Sequence, residues 1–333
     1  MTLWLKRGLV ATLLWPLSRL FGLAVFLRRY AYDKKWMKSV RLPVPVIVVG
    51  NVFVGGTGKT PLVVWLVEGL RKAGFYPGVV SRGYGASRDE PAEVTPLSDP
   101  AQVGDEPLLI ARKAQCPLVV CRKRTKAGQF LLATHPEVNV IVSDDGLQHY
   151  ALQRDVEILL FDGRGAGNGW MLPAGPLREP VSRKRDFTVV NGSNYPAPGN
   201  PIWVPDLYLM KMKIDQAEKL NDRTRRKALA TLSGKIVAAA GIGNPGRFFA
   251  ALRAHRMIFD EMPLPDHFDF SANPFETIQA DVILITEKDA VKCARKEELI
   301  TDERIWVVPA TVEIDRSELE MRIVEKCGGC KTT

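Results

Sequence analysis

The sequence predicts an α/β protein: a P-loop domain on a parallel sheet covered by helices, followed by a second, smaller alternating unit. Three observations carry this. Short apolar strand-like runs alternate with helix-patterned segments along most of the chain. One of those runs enters a glycine loop that ends in Gly58-Lys59-Thr60. The stretch Gly192 to Pro205, rich in glycine, proline and asparagine, interrupts the alternation before it restarts at Ile236. A length of 333 residues fits two domains. The 46% apolar and 25% charged content is that of a globular protein.

The first element is an apolar segment, Gly8 to Leu27, long enough to cross a bilayer. Arg19 within it, Pro16, and basic residues on both flanks argue against simple spanning. Trp4, Trp15 and Trp36 fit a helix lying in the membrane interface against anionic headgroups. The formal charge of +9 is concentrated here: up to Arg41 nine basic residues face Asp33 alone, a balance of +8, so the remaining chain is nearly neutral. The basicity therefore points to a membrane surface, and no nucleic-acid partner is expected. No small-x-small cleavage site follows, so a cleaved signal peptide is not expected.

Val44 to Val49 is the next element, an apolar strand that runs into Val54-Gly55-Gly56-Thr57-Gly58-Lys59-Thr60-Pro61. Backbone N–H groups of such a turn converge on phosphate oxygens. The lysine reaches the terminal phosphates and the threonine hydroxyl ligates magnesium. The usual pattern places glycine five residues before Gly58, where this chain has Phe53, so the loop is a variant with paired glycines at Gly55 and Gly56. Leu62, Val63, Leu66, Val67 and Leu70 give the following segment, Pro61 to Lys72, a helical apolar face.

Strand-like runs then follow at Gly78 to Ser81, Leu118 to Cys121, Val138 to Ser143, Val156 to Phe161 and Phe187 to Asn191, with helical patterns at Pro107 to Arg112 and Lys126 to Thr134. Ser143-Asp144-Asp145-Gly146 closes an apolar strand, where a nucleotide fold holds an acid for magnesium or its water shell. Asp144 and Asp145 are both candidates. Asp105-Glu106 opens a helix, either as a cap or as a site at which a carboxylate takes the proton of an attacking hydroxyl with a histidine tuning it. Glu106 is a further candidate metal ligand. Arg82, Arg122, Arg124 and Arg178 are the cationic candidates and together suit a strongly anionic substrate or transition state.

Two extended runs, Leu207 to Ile214 and Lys227 to Leu232, are expected to pair as a two-stranded β linker. Beyond it come strands at Ile236 to Ala240, Val282 to Thr286 and Ile305 to Val308. Gly241-Ile-Gly243-Asn-Pro-Gly246 has the form of a dinucleotide fingerprint, but Pro245 stiffens it and the remaining sheet is short, so it reads as a structural or substrate-facing turn. The expected domains are thus 1–35, 36–205, 206–233 and 234–333. Of the four histidines, His267 stands in a polar-aromatic loop, His149 follows the Asp144-Asp145 turn, and His135 and His255 read as surface residues or caps. Five cysteines in a chain of this length read as reduced thiols, and Cys327-Gly-Gly-Cys330 lacks a second pair of ligands.

In combination these motifs are similar to those of the tetraacyldisaccharide 4'-kinase family, the lipid A pathway kinases of Gram-negative bacteria. The carriers are the apolar basic N-terminus, Val49 to Pro61, Ser81-Arg-Gly-Tyr-Gly85, Gly104-Asp-Glu-Pro107, Ser143 to His149, Leu172-Pro-Ala-Gly-Pro-Leu-Arg178-Glu-Pro180, Gly241 to Pro245 and Asp266-His267. The resemblance implies two α/β/α sandwich domains joined by a two-stranded linker and held at the cytoplasmic face of the inner membrane, peripherally or monotopically, by the N-terminal helix. It implies transfer of the ATP γ-phosphate, with Mg2+, to the 4'-hydroxyl of a tetraacyldisaccharide 1-phosphate, giving lipid IVA. The lipid substrate and the membrane surface are then the partners, with no obligate protein partner. Carried onto this chain, Lys59 holds phosphates, Thr60 and Asp144 or Asp145 the metal, Asp105 with His267 acts as base, and Arg178 stabilises charge. Because Asp105 and His267 come from different domains, the cleft between them must close. The alternatives are a P-loop ATPase or GTPase acting on a protein partner, which needs no apolar N-terminus, and a membrane-bound nucleotide-binding module without catalysis.

Overall fold

The strands are, in chain order, Val46–Gly50 (β1), Pro77–Ser81 (β2), Ala92–Glu93 (β3), Leu118–Val120 (β4), Val140–Asp144 (β5), Val156–Asp162 (β6), Phe187–Asn191 (β7), Leu207–Lys213 (β8), Gln216–Lys219 (β9), Arg226–Ala228 (β10), Ile236–Ala240 (β11), Asp260–Pro263 (β12), Val282–Thr286 (β13), Ile305–Val308 (β14) and Thr311–Ile314 (β15). The helices are Leu9–Asp33 (α1), Lys59–Lys72 (α2), Pro100–Val103 (α3), Asp105–Ala114 (α4), Arg124–Thr134 (α5), Pro245–Ala254 (α6), Glu287–Cys293 (α7), Glu297–Ile300 (α8) and Glu318–Lys326 (α9). This computed structural model describes residues 4–83, 89–197, 199–315 and 318–328. Tyr84, Gly85 and Cys330 lie outside the described residues.

A nine-stranded sheet runs in the order β15-β8-β7-β6-β1-β5-β2-β4-β3, parallel except for the two edge strands β15 and β3. Its central strands are buried on both faces, which is why they read as unbroken apolar runs. The side chains still alternate. Ile47 and Val49 pack with Leu62 and Leu66 of α2, Leu108 of α4 and Ile323 of α9. Val46 and Val48 pack on the opposite face with Ala127 and Leu131 of α5. Helices therefore cover both faces.

The second sheet has six strands in the order β10-β9-β14-β13-β11-β12, with β11 to β14 parallel. Phe248, Phe249 and Leu252 of α6 cover one face. Ala290 and Cys293 of α7, with Leu299 of α8, cover the other.

The expected hairpin between the runs 207–214 and 227–232 is not formed. β8 adds to β7 in the first sheet, whereas β9 and β10 pair with each other and join the second sheet through β14. The antiparallel partner of β8 is β15, which brings the chain back from the second sheet to the first, with Met210 opposite Ile314. After it, α9 packs on the first sheet, and Lys326 pairs with Asp186 at 2.9 Å. β15 and α9 thus pack with the P-loop layer. The β15 register and the α9 apolar positions Leu319 and Ile323 are too short a signal to place them from sequence.

α1 lies along the first unit, tethered by its own Ser18 and by Trp4 just before it. Ser18 Oγ donates to the Met171 carbonyl at 2.8 Å and Trp4 Nε1 to the Pro173 carbonyl at 3.1 Å. Ala11 and Ser18 are its buried residues, while Leu9, Leu13, Leu20, Leu23, Phe26 and Leu27 face outward. It is the one helix among the described residues long and apolar enough to cross a membrane.

Candidate active site

The carboxyl end of β1 sits at the centre of the parallel sheet, the usual place for a ligand in such folds. Gly58 takes a φ of 94°, open to glycine, and a Cβ there would collide with Asn191 Nδ2. Gly58 is also the N-cap of α2 and offers no side chain, so the first N–H groups of α2 stay open for an anion. Asn51, directly after β1, braces the loop: its Nδ2 donates to the Gly55 carbonyl and to Thr57 Oγ1, both at 3.1 Å. Asn191 Nδ2 donates to the Thr57 carbonyl at 2.9 Å. Just after β6, Arg164 pairs with Asp162 at 2.7 Å, donates to the Gly56 carbonyl at 2.8 Å, and stacks over the Phe53 ring. Phe53 thus fills the place of the missing glycine as a platform for that arginine.

Lys59 Nζ lies 3.5 Å from Asp145 Oδ1, and Arg178 approaches Asp145 Oδ2 at 3.6 Å while donating to Asn51 Oδ1 at 2.6 Å. Asp145 has a φ of 48°, a left-handed conformation that costs on the order of 1 kcal/mol for a non-glycine residue. Buried Arg124 supports that turn by donating to the Asp144 and Asp145 carbonyls at 3.4 Å. Arg124 is therefore structural and not one of the free cations expected from sequence, whereas Arg82 and Arg122 are exposed. Burial, with the Glu106 carboxylate nearby, pushes Asp144 up to about 6. Burial also acts on Asp145, but Lys59, Arg178 and Arg124 outweigh it and hold that carboxyl below its ordinary range.

Gly104, with a φ of 91°, turns the chain so that Asp105 and Glu106 open α4. Burial works against the Glu106 charge, yet Lys288 and Lys59 keep its carboxyl below the ordinary range. Glu106 Oε1 lies 3.1 Å from Lys288 Nζ. Asp105 Oδ2 lies 3.4 Å from His267 Nδ1 and 3.4 Å from Lys292 Nζ. His267, Lys288 and Lys292 all belong to the second unit.

His267 reaches this place from a left-handed backbone, φ 59°, on a loop fixed by the Gly241 turn. The Gly241 carbonyl accepts from the His267 N–H at 3.2 Å, and the Gly241 N–H donates to Asp289 at 3.0 Å. The glycine turn that resembled a dinucleotide fingerprint therefore orders the histidine loop. His135 and His255 cap α5 and α6. His149 is pushed down to about 4 by burial and by Arg124.

Sequence reasoning missed Asn51, Arg164, Lys288 and Lys292. The last two are one helical turn apart in Thr286-Glu-Lys-Asp-Ala-Val-Lys292, a spacing that any solvated helix face shares.

The family model described as Tetraacyldisaccharide-1-P 4'-kinase matches residues 10–328. The chain belongs to this family. It is 60% identical to the tetraacyldisaccharide 4'-kinase of Janthinobacterium sp. (strain Marseille) and 57% identical to that of Herminiimonas arsenicoxydans, covering 98% of this chain and 94% of each relative. A solved structure, the "apo" form of LpxK from Aquifex aeolicus in complex with ATP, is similar with a TM-score of 0.78 and 29% identity, covering 96% of this chain and 99% of that one. Members of the family named as kinases thus share both the length and the fold of this chain.

Proposed function

We propose that this chain is a lipid kinase that transfers the γ-phosphate of ATP to the 4'-hydroxyl of a tetraacyldisaccharide 1-phosphate, giving lipid IVA. The observation that carries the reading is the split between two consecutive acids of α4. Glu106 belongs to the charge cluster of Lys59, Asp144 and Asp145, while Asp105 contacts His267 of the second unit. One helix end thus joins a phosphate cradle to a candidate base. A P-loop ATPase or GTPase acting on a protein shares the cradle, but the family relatives do not favour it.

The backbone of Val54 to Gly58, the open end of α2 and Lys59 hold the phosphates of ATP. Asp144 Oδ1 is buried without a hydrogen-bond partner and Asp145 Oδ1 meets only the Lys59 ammonium, at 3.5 Å, which suits a cation beside Thr60. Among the described residues no three acidic, histidine or cysteine side chains converge as a metal cluster, so a cation here would also need the phosphates of ATP as ligands. Thr60, with one or two of Asp144, Asp145 and Glu106, would hold Mg2+. The ion supplies charge neutralisation on the phosphate oxygens. Asp105 accepts the proton of the 4'-hydroxyl as its oxygen bonds to the γ-phosphorus. The bond from phosphorus to the bridging oxygen breaks, and ADP leaves with that electron pair. His267 orients Asp105, and Arg178 offsets developing charge. The outward apolar face of α1, flanked by the basic residues, seats the enzyme on the cytoplasmic face of the inner membrane beside its lipid substrate. The expected division at 36–205, 206–233 and 234–333 does not follow the two sheets, because β8, β15 and α9 belong with the first and β9 and β10 with the second.

Asp105→Ala tests the base. Transfer is expected to fall by about 10²–10⁴-fold, with ATP affinity in an equilibrium titration unchanged. Full activity of the variant removes Asp105 from the reaction.

A further inference from the structure

We infer that Lys292 is a positioning residue for phosphoryl transfer: its ammonium group holds the Asp105 carboxylate in the orientation from which it takes the acceptor's proton. The inference rests on the phosphotransfer reading above and deepens it.

α7 packs against α4, and its two lysines, one turn apart, grip the two acids that open α4. Lys288 takes Glu106 at 3.1 Å and Lys292 takes Asp105 at 3.4 Å. At the far end of α4, Lys113 Nζ returns the contact to Glu287 at 2.8 Å and to the Ala310 carbonyl at 2.8 Å. The helices are thus registered by charge along their length, and the register places Lys292 on Asp105 and on no exposed surface.

The Lys292 side chain is only 9% exposed, and its Nζ lies 5.7 Å from the centroid of the Phe270 ring. That Nζ is buried without a hydrogen bond. Burying an ammonium group in this way costs free energy unless a partner compensates it. Asp105 is the carboxylate within ion-pair distance among the described residues.

Lys292 and His267 approach the same oxygen, Asp105 Oδ2, both at 3.4 Å. With Oδ2 held from two sides, Oδ1 is presented to the acceptor hydroxyl. His267 comes from a loop, whereas Lys292 comes from a helix packed on the sheet, so the lysine supplies the more rigid of the two constraints. It exchanges nothing with the substrate.

The test compares wild type, Lys292→Met and Lys292→Arg as full-length protein with ATP, Mg2+ and tetraacyldisaccharide 1-phosphate in detergent micelles. Misplacing a reacting group by about 1 Å costs up to about 10²-fold, so Lys292→Met is expected to lose about ten- to hundredfold in kcat. Both KM values should stay within about twofold, as expected for an interaction made only in the transition state. Lys292→Arg, which keeps the charge, should recover most of kcat. The inference is overturned by a Met variant with wild-type kcat, by an effect confined to KM, or by an Arg variant as impaired as the Met one. If Lys292→Met gives no cooperative thermal transition, Lys292→Gln takes its place. Failure of both neutral variants to fold makes Lys292 a structural residue and also overturns the inference. An inactive wild type would count against the phosphotransfer reading itself.

Discussion

Asp144 and Asp145 are neighbours in sequence and opposite in electrostatic character. Burial raises the first to about 6, and three cations hold the second down. The sign of the stability effect follows. A carboxyl raised in the folded state above its ordinary 3.8 contributes stability below about pH 4 that is lost as pH rises through about 6. Asp144→Asn is therefore expected to raise the thermal midpoint of the nucleotide-free protein at pH 7.5 by a few degrees, at about 2–4 °C per kcal/mol. The gain should disappear towards pH 4, as scanning calorimetry across pH can check. A lower midpoint than wild type at pH 7.5 contradicts the assignment. Lys59, Thr60, Asp105 and the Asp144-Asp145 pair could be singled out as candidates in the sequence because each sits at a strand end or helix start with its own local signature. Lys292 and Arg164 could not, because each reaches the site through a partner more than a hundred residues away, and Asn51 could not, because only the folded loop brings Gly55 and Thr57 back to its side chain.

Elements divide in the same way. β1, β5 and α2 were readable because parallel central strands are apolar throughout and α2 shows one apolar face behind a glycine loop. β8 was seen as a strand but assigned the wrong partner, since Leu207–Lys213 reads the same whether it pairs with β10 or with β15. The short β15 and α9 carried too little pattern to betray their return to the first sheet. α1 is the opposite case: its apolar character was plain, and the structure leaves most of that surface uncovered. Deleting residues 1–28 should shift the protein from the membrane pellet to the supernatant in a flotation or sedimentation assay. Undiminished membrane recovery of the truncated protein would mean that other surfaces suffice.

The whole molecule places the carboxyl ends of two parallel sheets against each other. The P-loop layer contributes the cradle and the acids, and the second layer contributes His267, Lys288 and Lys292. Arg247 of α6 also reaches Asp162 beside the loop at 3.4 Å. Neither sheet alone holds a base next to its orienting groups, so transfer depends on their closure over nucleotide and acceptor. Water must be excluded there, or ATP is hydrolysed without product. The most direct measurement is therefore the fate of the γ-phosphate. The full-length protein is incubated with γ-labelled ATP, Mg2+ and tetraacyldisaccharide 1-phosphate in detergent. Label in a bisphosphorylated lipid is the predicted result, and label released only as free phosphate would contradict the account.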